Sequence, residues 1–147
     1  MTAMAWTTAV RAAAAAVFVT AAAGAAHADS HFNYHRFASP SGNIACAITD
    51  DGSGVRCDIV HHSFTPPPQP AGGCGAAGYG HTVAMTASTP AQFTCAGDTV
   101  ARPGEPILAY GSTAIVGGTT CSSDQDAVTC TDGEHRIRLS RVSYDLR

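Results

Sequence analysis

From residue 43 onward the chain runs in short segments in which apolar and polar positions alternate with a period of two. Residues 43–48 (NIACAI) and 55–60 (VRCDIV) flank the turn cluster Asp50-Asp51-Gly52-Ser53-Gly54. Two strand-like runs around a Gly-containing turn predict a β-hairpin. Residues 81–87 alternate Val83 and Met85 with Thr; residues 88–90 turn the chain, and 91–95 return it with Phe93 and Cys95 on one face. Residues 107–110 and 113–116 form short strands broken at Gly111, and 118–122 with 127–131 form a second hairpin about Gln125-Asp126. Ile137 and Leu139 then alternate with Arg136, Arg138 and Ser140, after which Val142, Tyr144 and Leu146 alternate in the opposite phase. That one-residue shift near Ser140-Arg141 predicts a bulge or a strand break. No helical period persists beyond a turn. The pattern predicts an all-β domain of short antiparallel strands and hairpins, a sandwich or a partly open barrel.

Other stretches interrupt the alternation. Residues 29–36 make a short polar arm, and 37–43 (FASPSGN) are turn material around Pro40 and Gly42. Residues 64–70 (FTPPPQP) cannot join a central strand and predict an extended surface connection. Residues 74–80 are a Gly-rich loop, and 96–106 are irregular.

The first 28 residues follow another rule. Their single charge is Arg11, followed by a run of Ala with Val17, Phe18 and Val19 that ends in Ala26-His27-Ala28. A positive start, a short apolar run and small residues at the exit predict a secretory signal peptide cut after Ala28, which leaves 29–147 as a single secreted domain. The run is too short and too weakly hydrophobic to predict a membrane span, and none is expected after cleavage.

Composition sharpens this picture. The chain has 147 residues, 11 acids, 8 Arg, no Lys and a formal charge of -3. No basic run exists, so nucleic acid is not an expected partner. After the predicted cut, Val, Ile, Leu and Phe supply only 20 of 119 residues, little for a folded core. All six Cys lie in this part, and an even count in an exported chain predicts three disulfides. Symmetric hairpins place Cys46 opposite Cys57 and Cys121 opposite Cys130, at the few ångströms a disulfide spans. Cys74 is then left with Cys95. The shortest Cys spacing is the nine residues from Cys121 to Cys130, so the close pairs of a zinc site and the C-x-x-C of a redox motif are both missing.

The punctuation also carries a resemblance. It runs through Ser39-Pro40-Ser41-Gly42-Asn43-Ile44 with Cys46, then Arg56-Cys57-Asp58-Ile59, Pro66-Pro67-Pro68 and Cys74. It continues through Cys95 with Gly97-Asp98-Thr99, Leu108 with Tyr110-Gly111, Cys121-Ser122-Ser123, Val128-Thr129-Cys130 and Leu139-Ser140-Arg141. This resembles a family of small secreted bacterial proteins known as a domain of unknown function. The resemblance implies a secreted, disulfide-containing domain and implies no activity. Family members often carry a Gly-His-Gly-aromatic block before the final Leu-Ser. Here the stretch reads Gly133-Glu134-His135-Arg136-Ile137, so no role is carried over to His135.

No catalytic signature stands out, and no catalytic, cofactor-binding or metal-ligating residue is assigned. There is no G-x-S-x-G, and Ser41 between Pro40 and Gly42 is turn chemistry. Asp50-Asp51 sit at a hairpin tip. Asp98 suits an Asx turn, its functional alternative being a general base. His31 and His35 would ligate a metal together only from one helix face, and His61 and His62 point to opposite faces if extended. Residues 64–70 could dock a partner as a polyproline helix, and Tyr79 and Tyr110 could offer aromatic contacts. The expected role is therefore a non-catalytic binding domain of the cell envelope or extracellular space, with an unknown ligand and no cofactor. The alternatives are a small envelope hydrolase around Asp98 with His81 or His135, or a structural secreted protein without a specific ligand.

Overall fold

A computed structural model of the chain describes residues 30–147; the predicted signal segment lies outside them. The alternating runs become two facing sheets. In the first, β2 (Arg36–Ala38), β3 (Ile44–Ile48), β4 (Gly54–Ile59), β5 (Gly78–Thr86) and β6 (Thr89–Ala96) form an antiparallel meander. In the second, β7 (Ser112–Val116), β8 (Thr119–Ser123), β9 (Val128–Asp132), β10 (His135–Leu139) and β11 (Tyr144–Leu146) form another. The short β1 (His31–Phe32) joins the β7 edge in parallel. Apart from β1, each half of the described chain thus builds its own sheet, and the two apolar faces close on one core.

Disulfides join Cys46 to Cys57, Cys74 to Cys95 and Cys121 to Cys130. The first and third each cross a hairpin between directly opposed residues, with Cα atoms 4.1 and 4.0 Å apart. They come from opposite sheets and meet in mid-core, where Cys57 Sγ lies 3.8 Å from Cys130 Sγ. Around them pack Phe37, Ile59, Val83, Leu108, Val128, Ile137 and Leu139, all essentially inaccessible. Four buried half-cystines therefore fill space that a richer complement of Leu and Ile would otherwise fill. Cys74–Cys95 instead ties the Gly-rich loop to β6 at the surface.

The hairpin tips of the two sheets also interlock. Gly52, at the β3–β4 turn, and Gly117, at the β7–β8 turn, lie backbone against backbone, with φ of 67° and 55°. A Cβ at Gly52 would stand 2.1 Å from the Val116 carbonyl oxygen. Beside them the buried Thr119 hydroxyl is within hydrogen-bond reach of the Gly52 carbonyl at 2.9 Å and the Asp132 carboxylate at 3.1 Å.

The structure differs from the pattern-based reading in several places. Phe37 is not turn material: it lies in β2 and is fully buried, because the strand pairs only three residues with β3 before Ser39 turns it away. The polar arm contributes β1, and Pro90 falls within β6, at the register shift where Ala84 pairs with Gln92 and Thr86 with Thr89. Residues 107–110 make no regular strand. Ile107 forms an isolated parallel bridge to Ala38, and the Leu108 N–H donates to the Ala38 carbonyl at 2.9 Å. The phase shift at Ser140 is a strand break, with the Ser140 hydroxyl accepting the Ser143 N–H at 2.9 Å.

Candidate functional site

The 39–44 segment is a tight turn that hands the chain from β2 to β3. Gly42 takes a φ of 70°, and its N–H donates to the Ser39 carbonyl at 2.8 Å. The buried Ser39 hydroxyl accepts the Ile44 N–H at 3.2 Å. Asn43 uses its whole amide on the chain leaving β4: Nδ2 donates to the His61 carbonyl at 3.0 Å, and Oδ1 accepts the His61 N–H at 2.8 Å. Proline, glycine and asparagine in this run are thus turn and clamp residues. Their effect is to hold residues 41–43 and 60–61 side by side at one end of the sandwich.

Facing them from the second sheet are Tyr110, just before β7, and the β8–β9 turn with Asp124, Gln125 and Asp126. Between the two lies a cleft of about 470 Å³. Both sheets line it. Val60 and Tyr110, each 43% exposed, supply its apolar surface. Ser41, Asp124, Asp126 and Arg141 supply polar groups, Asp126 being paired with Arg138 at 2.8 Å. Exposed aromatic and aliphatic side chains beside convergent carboxylates, a hydroxyl and a guanidinium are what a small-molecule site requires. Tyr110 is thus exposed, as aromatic contact needs. Tyr79 does not: it packs near Phe93, and its hydroxyl donates to the Pro68 carbonyl at 3.0 Å.

Asp98 belongs elsewhere. Its carboxylate accepts Arg56 Nη1 at 2.8 Å, and its carbonyl accepts Arg56 Nη2 at 2.8 Å. Arg56 also grips Asp58 with Nε and Nη2, both at 3.0 Å. Asp58, 4% exposed, further accepts the Thr82 hydroxyl at 2.9 Å and the Val100 N–H at 2.9 Å. Burial alone would raise the Asp58 pKa, but the hydrogen bonds from Arg56, Val100 and Thr82 hold it below the ordinary carboxylate value. The Arg56 hydrogen bond and charge likewise lower Asp98. A carboxylate so engaged is a weak base, and this network serves to fasten residues 97–100 across β4 and β5. In place of the expected Asx turn, Asp98 makes an ion pair 42 residues away in sequence.

The remaining candidates are dispersed. His81 lines a second cleft, of about 350 Å³, with Asp98, but its Nδ1 lies 2.7 Å from the Ile59 carbonyl. His62 stacks on Phe64 with ring centres 4.0 Å apart, and Phe64 meets Tyr144 in an edge contact. His135 is on β10 in the other sheet. His35 lies 3.8 Å from the exposed Asp50, and Asp51 is bound to its own turn through Thr49 and Ser53, which lowers its pKa to about 2. Residues 64–70 lie against the domain, with Pro66 packed on Gly80, where a Cβ would stand only 2.8 Å from the proline ring. Sequence reasoning named Tyr110 and Ser41 but not Val60, Asp124 or Arg141. The available signal is Val60, apolar but out of phase with Val55, Cys57 and Ile59.

The fold and cleft together define a two-sheet, disulfide-stapled β-sandwich with a pocket at one end. The chain belongs to the Family of unknown function (DUF6636), whose model matches residues 12–146. No curated protein and no solved structure matches it.

Proposed function

We propose that the protein is exported, with its signal segment removed after Ala28, and acts as a non-catalytic binding module of the envelope or extracellular space. Its ligand occupies the end cleft. Three disulfides fit an oxidising compartment. The observation that carries the reading is the cleft itself, which the exposed Tyr110 lines together with the acidic residues of the β8–β9 turn. A ring platform with carboxylates and a hydroxyl at its rim suits a hydroxyl-rich ligand of sugar size: C–H faces stack on the ring, and vicinal hydroxyls donate to the acids.

Amide chemical shifts of the exported chain should be followed as neutral, acidic and N-acetylated oligosaccharides are added. Perturbations should cluster on residues 41–43, 60–61, 110 and 124–127. Tyr110→Ala should weaken binding by about tenfold or more while leaving the fold intact, since the ring is exposed. Shifts that map elsewhere, or no response to any member of the panel, would overturn the assignment.

A further inference from the structure

We propose, resting on the saccharide reading of the end cleft above, that the ligand is a linear acidic glycan. It passes from the end cleft over Val60 into a neighbouring cleft and sets its carboxylates against Arg141 and Arg102. The neighbouring cleft, of about 320 Å³, is lined by residues 101–105 and Ile107. The two clefts share Gly42 and Val60, so they form one groove. That junction is both open and fixed. Nothing lies within 4 Å of a Cβ built on Gly42, and the Val60 N–H donates to the Asn43 carbonyl at 2.9 Å. Of the large apolar side chains left exposed, Val60, Ile107 and Tyr110 all line this groove. Apolar contacts spaced in this way suit the C–H faces of successive sugar rings.

Charge selects an anionic chain. Arg36, Arg56, Arg136, Arg138 and Arg147 each hold a carboxylate. Arg102 and Arg141 make no ion pair among the described residues, and both line the groove. Arg102 acts on Asp98 only at longer range, Asp98 being held by Arg56. The acids of the groove are mostly engaged, Asp126 with Arg138 and Glu105 with Arg36, each at 2.8 Å. Asp124 is left against two guanidinium groups, a positive balance on a chain whose formal charge is -3. Both arginines stand on tied backbone. The Arg141 carbonyl accepts the Ser63 N–H at 2.8 Å, and the Ser140 hydroxyl accepts the Ser143 N–H at 2.9 Å. The segment of Arg102 is tied from Val100 to Asp58 and from Pro106 to Ala38. An unpaired guanidinium takes a carboxylate through two parallel N–H donors. The free Asp124 favours one carboxylate per sugar ring over a phosphate monoester, whose higher charge it would repel more strongly. The cleft of His81 and Asp98 also reaches Val60 and Ala101. Among the described residues its lining holds Asp58 and Asp98 and no arginine, so the anionic chain turns toward Arg102 instead.

The test titrates the exported protein with galacturonate, a short and a long oligogalacturonate, the methyl esters of the same chains, and an oligoglutamate of matching charge. Affinity should rise from the monomer to the long acidic chain, since linking the units makes the second contact intramolecular. It should fall with added salt. The methyl ester keeps the rings and hydroxyls without the charge, and should bind about tenfold more weakly. Amide shifts should cover residues 101–107 as well as the end cleft, and leave Tyr79 and His81 unmoved. Arg102→Gln and Arg141→Gln, both at exposed positions, should each weaken the long acidic chain by about tenfold. Arg147→Gln, at an exposed arginine outside the groove, should not. Equal binding of acid and ester, no gain with length, no loss in either groove variant, or shifts confined to the end cleft overturns the acidic groove and leaves the saccharide reading standing. Oligoglutamate binding as tightly as the acidic glycan makes the occupant of the groove a peptide and overturns the glycan. If no saccharide shifts any residue of the end cleft, the groove and the saccharide reading fall together.

Discussion

Replacing Gly52 by Ala tests how the two sheets are held together at their tips. Gly52 has a φ of 67°, where a Cβ costs about 1 kcal/mol. The larger effect is steric. The new Cβ would lie 2.1 Å from the Val116 carbonyl oxygen and 2.6 Å from Gly117 Cα, both backbone atoms that cannot rotate aside. Relief requires the tips to part by about 1 Å, which loosens packing along Val116 at about 1–2 kcal/mol. It also stretches the 2.9 Å bond from Thr119 to the Gly52 carbonyl, worth about 1 kcal/mol. The expected loss is about 3–4 kcal/mol. Gly133→Ala is the control. Gly133 also sits in a hairpin turn with φ of 58°, but nothing lies within 4 Å of its added Cβ, so only the conformational cost of about 1 kcal/mol applies. Urea unfolding at neutral pH with disulfides intact measures both. Gly117→Ala should match Gly52→Ala, since its Cβ would meet the Asp51 carbonyl oxygen at 2.5 Å, and the double variant should lose less than the two losses added together. If Gly52→Ala is no more destabilising than Gly133→Ala, the interlocked tips are not a source of stability.

Acid should weaken the fold through Asp58. Its folded pKa lies below the ordinary value, so its stabilisation is complete above the unfolded pKa of about 4 and is lost as pH falls through the lower folded value. Unfolding free energy measured against pH should be flat near neutrality and fall below about pH 4. Asp58→Asn should cost about 3 kcal/mol at neutral pH and flatten that acid limb; an unchanged limb would refute the assignment. Replacing both Cys121 and Cys130 by Ala should cost about 2–4 kcal/mol in urea unfolding, by freeing the hairpin in the unfolded chain and opening space beside Cys57.

Much of this architecture is local, and local order is visible in residues. The period of two in residues 43–48 and 55–60, with Asp51-Gly52 between them, specifies a hairpin and sets Cys46 against Cys57 in its register. The same holds for Cys121 and Cys130. Arg56 and Asp58, two apart in a strand, share a face, so their pairing is also readable. Asp98 was not readable as their partner. Its Gly-Asp-Thr setting carries an Asx-turn signal, and only the return of the chain across β4 brings it to Arg56.

What the chain determined by itself is its strand class, its hairpins, its shortage of aliphatic bulk and its even set of Cys. These follow from side-chain alternation and turn chemistry, which act over a few residues. Tertiary structure decided the rest: that the two hairpin disulfides meet in one core, that Gly52 and Gly117 touch, and that Ser41 and Val60 face Tyr110 and Asp124 across a cleft. Those contacts join residues 50 or more positions apart, each of which serves its own turn or strand equally well alone. Their meeting depends on how two separately formed sheets are stacked, and the alternation within each strand is the same for every such stacking.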